Sequence, residues 1–237
     1  MKKLSGCMIP VYALVLLGFL LTGFLGSRVV TVLSENATLK DRHCFIIDAG
    51  HGGVDGGAVS CTGIHESAVN LQIALRLDDL MHLLGMDTKM IRTEDISVYT
   101  YGETIAAKKS SDLKERVRIV NETANAILLS IHQNHYSDSY YSGAQTFYPS
   151  TPGSEELAKA LQAEFVKTVN PGSNRQSKKA EGLYIMKHIE KTGVLIECGF
   201  LSNREEEYKL RSQQYQKNLC CVIAAACSRY LNQNAMA

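Results

Sequence analysis

The sequence predicts an α/β fold: a single three-layer domain with a largely parallel central sheet flanked by helices, preceded by an N-terminal membrane anchor or signal segment. Two observations predict it. Short apolar runs typical of buried strands alternate along the chain with segments whose apolar residues recur at helical spacing. The 237 residues, 45% hydrophobic and 21% charged, suit one large globular domain. A formal net charge of +1 gives no electrostatic reason to expect a nucleic-acid partner.

The N-terminus has the composition of a membrane segment. Lys2 and Lys3 precede an uncharged run of 24 residues, Leu4 to Ser27, and a helix that spans a bilayer needs about 20. The basic end should stay cytoplasmic, which places the rest of the chain outside the membrane. Because no clean A-x-A cleavage site follows, an uncleaved anchor is favoured over a cleaved signal peptide. We therefore expect an anchor over residues 1–28, a linker over 29–42 and the folded domain over 43–237.

The first strand of that domain leads into an unusual loop. An apolar run from Cys44 to Ile47 predicts a buried strand, which ends at Asp48 and passes into a glycine-rich loop that carries His51. A phosphate-binding loop is disfavoured, because no Gly-Lys-Ser/Thr follows. A histidine between glycines at a strand end can bind a metal, and a plain turn is the alternative.

The next segment, Thr62 to Leu84, has helical periodicity. Its inward stripe begins with an acid and continues with apolar residues: Glu66, Val69, Ile73, Leu77, Leu80 and Leu84. A helix N-terminus favours an acidic residue in its first turn. That preference does not explain why Glu66 lies on the stripe that faces the core, whereas a role as metal ligand explains both.

The remaining elements follow from the same patterns. Met86 to Ile91 predicts a strand, Arg92 to Ser111 a polar irregular excursion, and Asp112 the cap of a helix from Leu113 to Asn121. Further predictions are strands at Ala126–Ile131, Gly143–Tyr148, Gly182–Met186 and Val194–Phe200, and helices at Ser154–Val169 and Gln214–Asn232.

Polar side chains sit where several of these strands end. His132 follows the strand at Ala126–Ile131, and Glu197 ends the apolar part of the strand that begins at Val194. In open α/β sheets, ligands bind beyond the carboxyl ends of the strands. We therefore expect His51, Glu66, His132 and Glu197 to converge on one edge of the sheet.

These residues also carry a family resemblance. The blocks Asp48–Ala58, Glu66, Ser130–Asn134 and Glu197–Asn203 resemble, in order, the zinc-binding and catalytic blocks of the Amidase_3 family of N-acetylmuramoyl-L-alanine amidases. The resemblance covers Cys44 to about Tyr230. Three further blocks resemble the germination-specific branch, which acts on the spore cortex of endospore formers: Asp112–Val117, Ser142–Tyr148 and Gly182–Met186.

The resemblance implies a site and a mechanism. The ligands of a catalytic Zn²⁺ would be His51, Glu66 and His132, which leaves a fourth position for water. Glu197 would move the water's proton to the leaving amine. His135 raises the question of which neighbouring histidine the metal prefers, and Cys198, beside Glu197, is interpreted as a bystander.

Four other residues are candidates for orienting the ligands or binding the substrate. Asp48 would orient a ligand histidine, and Asn134 would do likewise or touch the substrate. Arg92 and Arg116 would either bind carboxylates of a muramyl peptide or pair with surface carboxylates.

The implied reaction is hydrolysis of the amide between the muramic acid lactyl group and L-alanine in peptidoglycan, outside the cytoplasmic membrane. In a spore former it would serve cortex maturation in the intermembrane space of the forespore. The alternatives are a general autolysin for cell separation, a zinc hydrolase of another amide, and a non-catalytic wall-binding module. No His-Glu-x-x-His supports the usual metallopeptidase arrangement.

Overall fold

A computed structural model describes residues 42–234 of the chain. The strands are β1 (Cys44–Ala49), β2 (Asp87–Met90), β3 (Ala126–Asn134), β4 (Gln145–Tyr148), β5 (Lys178–Lys179) and β6 (Thr192–Phe200). The helices are α1 (Glu66–Leu83), α2 (Ile105–Glu122), α3 (Ser154–Glu164), α4 (Tyr184–His188), α5 (Arg204–Arg211) and α6 (Gln213–Asn234); a π-helical turn, Phe165–Val169, extends α3.

The six strands form one mixed sheet in the order β2-β1-β3-β6-β4-β5. The four strands β2, β1, β3 and β6 pair in parallel, as predicted. Strand β4 pairs antiparallel to β6, and the short β5 pairs in parallel with β4. The α/β class, the single sheet between helices and its largely parallel pairing are therefore confirmed; among the described strands, β4 and β6 form the one antiparallel pair.

Alternation along the strands divides the core between the two faces of the sheet. Phe45 and Ile47 of β1 pack in the larger core, which includes residues of α1, α3 and α6. Ile46, between them, packs in a smaller core with residues of α2 and α4. Both clusters consist of buried apolar side chains, so helices cover both faces and the predicted three-layer arrangement is present.

Two predicted elements are wrong. Helix α2 does not begin after Asp112; it begins at Ile105, where the Thr104 hydroxyl accepts a hydrogen bond from the Ala107 N–H. The predicted strand at Gly182–Met186 is instead a turn followed by helix α4. A short apolar run does not distinguish a strand from a buried helical turn, and here the run packs its Ile185 and Met186 against the smaller core.

The expected anchor over residues 1–28 lies outside the described residues, as does nearly all of the linker over 29–42. Of the helices that the structure does describe, none combines the length and the apolar character needed to cross a membrane.

Candidate active site

The site is built on the carboxyl ends of three adjacent parallel strands. His132 of β3 lies directly opposite Glu197 of β6 in the sheet register, so both side chains project from the same face. Strand β1 lies on the other side of β3 and leads into the loop that carries His51. The convergence expected from the strand ends is therefore present.

Two buried arginines hold the start of that loop. Arg92 donates from Nε to the Ala49 carbonyl (2.8 Å) and from Nη2 to the Gly50 carbonyl (3.0 Å). Arg116 donates from Nη2 to the His51 carbonyl (2.8 Å). These bonds fix three successive carbonyls, and they hold His51 at φ 60°, a left-handed conformation that a non-glycine residue rarely adopts without such support.

Glu66, at the start of α1, joins the two histidines. His51 Nε2 lies 3.2 Å from Glu66 Oε2, and His132 Nδ1 lies 3.0 Å from Glu66 Oε1. The two imidazole rings meet edge to face with centroids 5.0 Å apart. One ligand atom from each residue lies within 4.8 Å of the other two, so the three side chains form a cluster of metal-binding dimensions.

Backbone and amide donors fix the Glu66 carboxylate, which is 4% exposed. Its Oε2 accepts the Ala58 N–H (3.0 Å), and its Oε1 accepts the Gln133 N–H and the Asn70 side-chain amide, each at 3.1 Å. These bonds arise from the loop, from β3 and from α1 itself. The orientation of Glu66 is therefore set independently of the histidines.

Two glycines are required by this packing. A Cβ at Gly50 would lie 2.2 Å from the His132 ring, and a Cβ at Gly57 would lie 2.6 Å from Glu66 Oε2. Gly57 also adopts a positive φ of 69°. Any larger residue would therefore displace one of the clustered side chains.

The charges in the cluster reinforce one another. Burial opposes the charged form of His51, but its hydrogen bonds and charge interactions with Glu66 and Asp55 outweigh burial and raise the pKa of His51 to about 9. Burial alone would also raise the pKa of Glu66; the neighbouring His132 and His51 outweigh it and hold that pKa well below its ordinary value. Glu66 is therefore an ionised carboxylate, as a metal ligand must be.

Glu197 has a different environment. It is partly buried, and its Oε2 is a fully buried oxygen without a hydrogen-bond partner among the described residues. Burial, together with the negative charge of Glu66, raises the pKa of Glu197 to about 7 against the opposing effect of the two histidines. A carboxyl group that titrates near neutral pH is suited to accept and return a proton.

The cluster of His51, Glu66 and His132 and the neighbouring Glu197 line one cavity of about 420 Å³. Its lining includes these side chains together with the apolar Leu113 and Leu183. A mixed cavity of this size has room for a ligand held by a few polar groups and several apolar contacts.

Arg92 and Arg116 are both buried, and each side chain is only 2% exposed. The alternative that they pair with surface carboxylates is therefore wrong. Arg92 bonds to backbone carbonyls, and Arg116 pairs with the buried Asp48 and with Asp112. Asp48 accepts its hydrogen bonds from Arg116 and the Ser130 hydroxyl (2.7 Å for the latter). The Arg116 charge and these bonds outweigh burial and lower the pKa of Asp48.

Asn134, His135 and Cys198 lie outside the cluster. Asn134 ends β3, where the register with β6 shifts, and its carbonyl accepts the Leu201 N–H (2.8 Å). His135 is exposed beyond the strand, and the metal-sized cluster among the described residues contains His132 instead. Cys198 is fully buried in the core on the opposite face of the sheet from Glu197, where burial raises the pKa of its thiol.

Sequence reasoning gave no role to Asp55, which the structure places in the site. Its Oδ2 lies 3.0 Å from His51 Nδ1, and its Oδ1 accepts a hydrogen bond from the Lys109 ammonium (2.8 Å). A carboxylate on the far nitrogen of a metal-binding histidine fixes the ring and its tautomer. The available signal was an acid four residues after His51 in the same glycine-rich loop.

The donor set fits a zinc ion. Two imidazoles and one carboxylate are the ligands of many catalytic zinc sites. Here each histidine presents one nitrogen to Glu66, and His51 offers its other nitrogen to Asp55. The assignment of these three residues as metal ligands stays a proposal.

Comparisons with known proteins identify the family of the chain. Residues 45–229 match the family model Amidase_3, described as N-acetylmuramoyl-L-alanine amidase. A germination-specific N-acetylmuramoyl-L-alanine amidase of Bacillus subtilis is 34% identical over 189 residues, which cover 79% of each chain. The amidase LytC of the same organism is 30% identical over 72% of this chain and 32% of its own length.

Solved structures share the fold. The CwlD amidase of Clostridioides difficile, solved in complex with the GerS lipoprotein, is 36% identical, with a TM-score of 0.77 over 81% of this chain and 99% of that one. An N-acetylmuramoyl-L-alanine amidase of Clostridium difficile 630 is 29% identical, with a TM-score of 0.70 over 81% of this chain and 98% of that one.

Proposed function

The chain belongs to the Amidase_3 family of N-acetylmuramoyl-L-alanine amidases, and we propose that it is a zinc-dependent enzyme that cleaves peptidoglycan between the muramic acid lactyl group and L-alanine. The observation that carries the proposal is that a cluster of metal-binding dimensions and a carboxyl group with a raised pKa line the same cavity. The cluster of His51, Glu66 and His132 lines it, and so does Glu197, with a pKa raised to about 7.

In this proposal His51, Glu66 and His132 hold the metal. A zinc ion bound there would polarise the scissile carbonyl and lower the pKa of water towards 7. Asp55 and the Asn70 amide keep the first two ligands oriented, because each bonds to an atom of the ligand side chain.

Glu197 carries the proton. Its carboxylate accepts a proton from the attacking water and gives it to the nitrogen of L-alanine as the amide bond breaks. The buried Oε2 lacks a partner among the described residues, and burial raises the pKa of the carboxyl group to about 7, which supports a role in holding and releasing a proton. The neighbouring Cys198 points away into the core, so the reaction needs no covalent intermediate on sulfur.

We place this activity outside the cytoplasmic membrane, in the maturation of spore cortex. The motive is the resemblance to the germination-specific amidase of Bacillus subtilis, together with the uncharged N-terminal run of 24 residues. A general autolysin is the second candidate, favoured by the 30% identity to LytC. Muramic δ-lactam in spores would be lost on deletion of the gene in the first case and kept in the second.

The test is digestion of purified peptidoglycan by the protein with zinc and after treatment with a chelator. Mass spectrometry should find free peptides that begin with L-alanine and glycan with intact lactyl groups, only in the zinc sample. Cleavage within the peptide stem, or loss of acetyl groups from the glycan, would identify a different hydrolase. Binding to the glycan without any product would support the non-catalytic alternative.

A further inference from the structure

A second pocket lies beside the catalytic edge. It has a volume of about 460 Å³ and is lined by residues that include Gln145, Arg175 and Lys178. Gln145 of β4 lies directly opposite Glu197 of β6 in the sheet register. His132, Glu197 and Gln145 therefore form a row across three neighbouring strands, with their side chains on one face. The pocket begins where this row ends.

Arg175 is held in this pocket by three contacts. Its Nη1 donates to Gln145 Oε1 (2.8 Å) and its Nε donates to the Ser142 carbonyl (2.7 Å). Its guanidinium lies over the Phe200 ring, 4.8 Å from the centroid. A stacked and hydrogen-bonded guanidinium loses little rotamer freedom when it binds a ligand, because its fork is already oriented.

The charge of Arg175 has no carboxylate partner within 4 Å among residues 42–234, and its Nη2 has no hydrogen bond there. The acid that contributes to the field at Arg175 is Glu206. Its Oε2 accepts the backbone N–H groups of Gly143 (2.7 Å) and Phe200 (3.0 Å). Lys178 adds a second cation to the lining. The pocket is thus a fixed, cationic site open to solvent.

We propose that Arg175 binds the free carboxylate of the residue that follows L-alanine in the peptide stem. The proposal rests on the proposed function, since it takes the scissile amide to lie between the metal cluster and Glu197. Adjacent strands are about 4.8 Å apart, and an extended peptide advances about 3.5 Å per residue. Gln145 is itself buried, so a stem would pass over it. A stem that runs outward in this direction brings the group one to two residues beyond the scissile bond to Arg175.

The test compares two muramyl tripeptides that differ in one group: the α-carboxylate of the second residue, a D-glutamate, is free in one and amidated in the other. The zinc-loaded protein should prefer the free acid by about 10- to 100-fold in kcat/KM, the value of one charge-assisted hydrogen-bonded contact. Arg175→Gln should bring the ratio close to one, mainly through a higher KM for the acid. Arg175→Lys should restore part of the preference.

The ratio of the two substrates on one preparation does not depend on how much of the variant is folded. Arg204, an exposed arginine at the start of α5, provides the control, and Arg204→Gln should keep the wild-type ratio. A wild-type ratio near one, or an unchanged ratio in Arg175→Gln, would overturn the subsite and leave the amidase function standing. Hydrolysis of neither compound by the zinc-loaded protein would overturn both proposals.

Discussion

Glu197→Gln should separate the catalytic role of this residue from its effect on stability. The substitution keeps the shape of the side chain and removes the titrating group. In the metal-free protein, burial and the charge of Glu66 raise the pKa of Glu197 from its ordinary 4.5 to about 7. The folded protein therefore keeps a proton that the unfolded chain loses between these two pH values.

The magnitude follows from that difference. Each factor of ten in a proton equilibrium is worth about 1.4 kcal/mol, so ionisation of Glu197 costs the folded state about 3 kcal/mol. The pKa is raised on folding, so this loss begins as pH rises above 4.5 and is complete above 7. Glu197→Gln should remove the loss. Relative to wild type, the variant should gain up to about 3 kcal/mol between pH 4.5 and pH 8.

The assay is urea unfolding of both proteins in the presence of a chelator, at a series of pH values from 4.5 to 8. Every other group titrates in both proteins, so the difference between the two curves reports the titration of Glu197 together with its charge interactions with His132, His51 and Glu66. Glu190→Gln, which alters an exposed glutamate next to β6, is the matched control and should follow the wild-type curve. With zinc bound, the same Glu197→Gln protein should turn over roughly 10²–10⁴-fold more slowly.

Two results would refute the reasoning. Parallel loss of stability in wild type and Glu197→Gln from pH 4.5 to 8 would show that folding does not raise the pKa of this carboxyl. Wild-type turnover by a Glu197→Gln protein with a full complement of zinc would remove the residue from the mechanism.

Further predictions concern the ligands and their supports. His51→Ala and His132→Ala should each empty the metal site, whereas His135→Ala should retain zinc; elemental analysis decides, and the reverse result for His132 and His135 would exchange their roles. Asp55→Asn should weaken zinc binding by about 10- to 100-fold in a chelator competition, because His51 loses its carboxylate partner; unchanged affinity would make Asp55 a loop contact only. Arg116→Met should lower the free energy of unfolding by about 3–5 kcal/mol, because it leaves the buried Asp48 uncompensated; a loss below 1 kcal/mol in denaturant unfolding would contradict this.

The parts of the fold that could be predicted are those in which local pattern and burial agree. The apolar strands around Ile46, Leu128 and Val194 are fully buried, and their composition alone identifies them. The direction of β4 could not be predicted, because Gly143–Tyr148 has the same pattern whether it pairs in parallel or antiparallel. The early start of α2 was also missed, since its first turns, Ile105 to Ser110, are exposed or half-buried and carry no apolar stripe.

Some residues of the site could likewise be predicted from the sequence, and others could not. The strand-end rule brought His51, His132 and Glu197 together, because it depends only on where strands stop. It could not show that Arg92 and Arg116 turn inward to backbone carbonyls, since the spacing of an arginine does not reveal which acceptor it will meet. Nor could it identify Arg175, whose position depends on the contacts of its loop with Gln145 and Phe200.

The two acids of the cavity show how one environment can set opposite roles. Glu66 receives three N–H donors and two imidazoles, which hold its pKa well below the ordinary value, so it stays a charged ligand. Glu197, on the other side of His132, has one buried oxygen without such a donor among the described residues, and its pKa rises to about 7. Part of that rise comes from the charge of Glu66 itself. When the environments of two carboxyl groups drive their pKa values apart in this way, the two groups have different roles in proton transfer and charge stabilisation. To exchange the functions of Glu66 and Glu197, their hydrogen-bond donors would have to be exchanged as well.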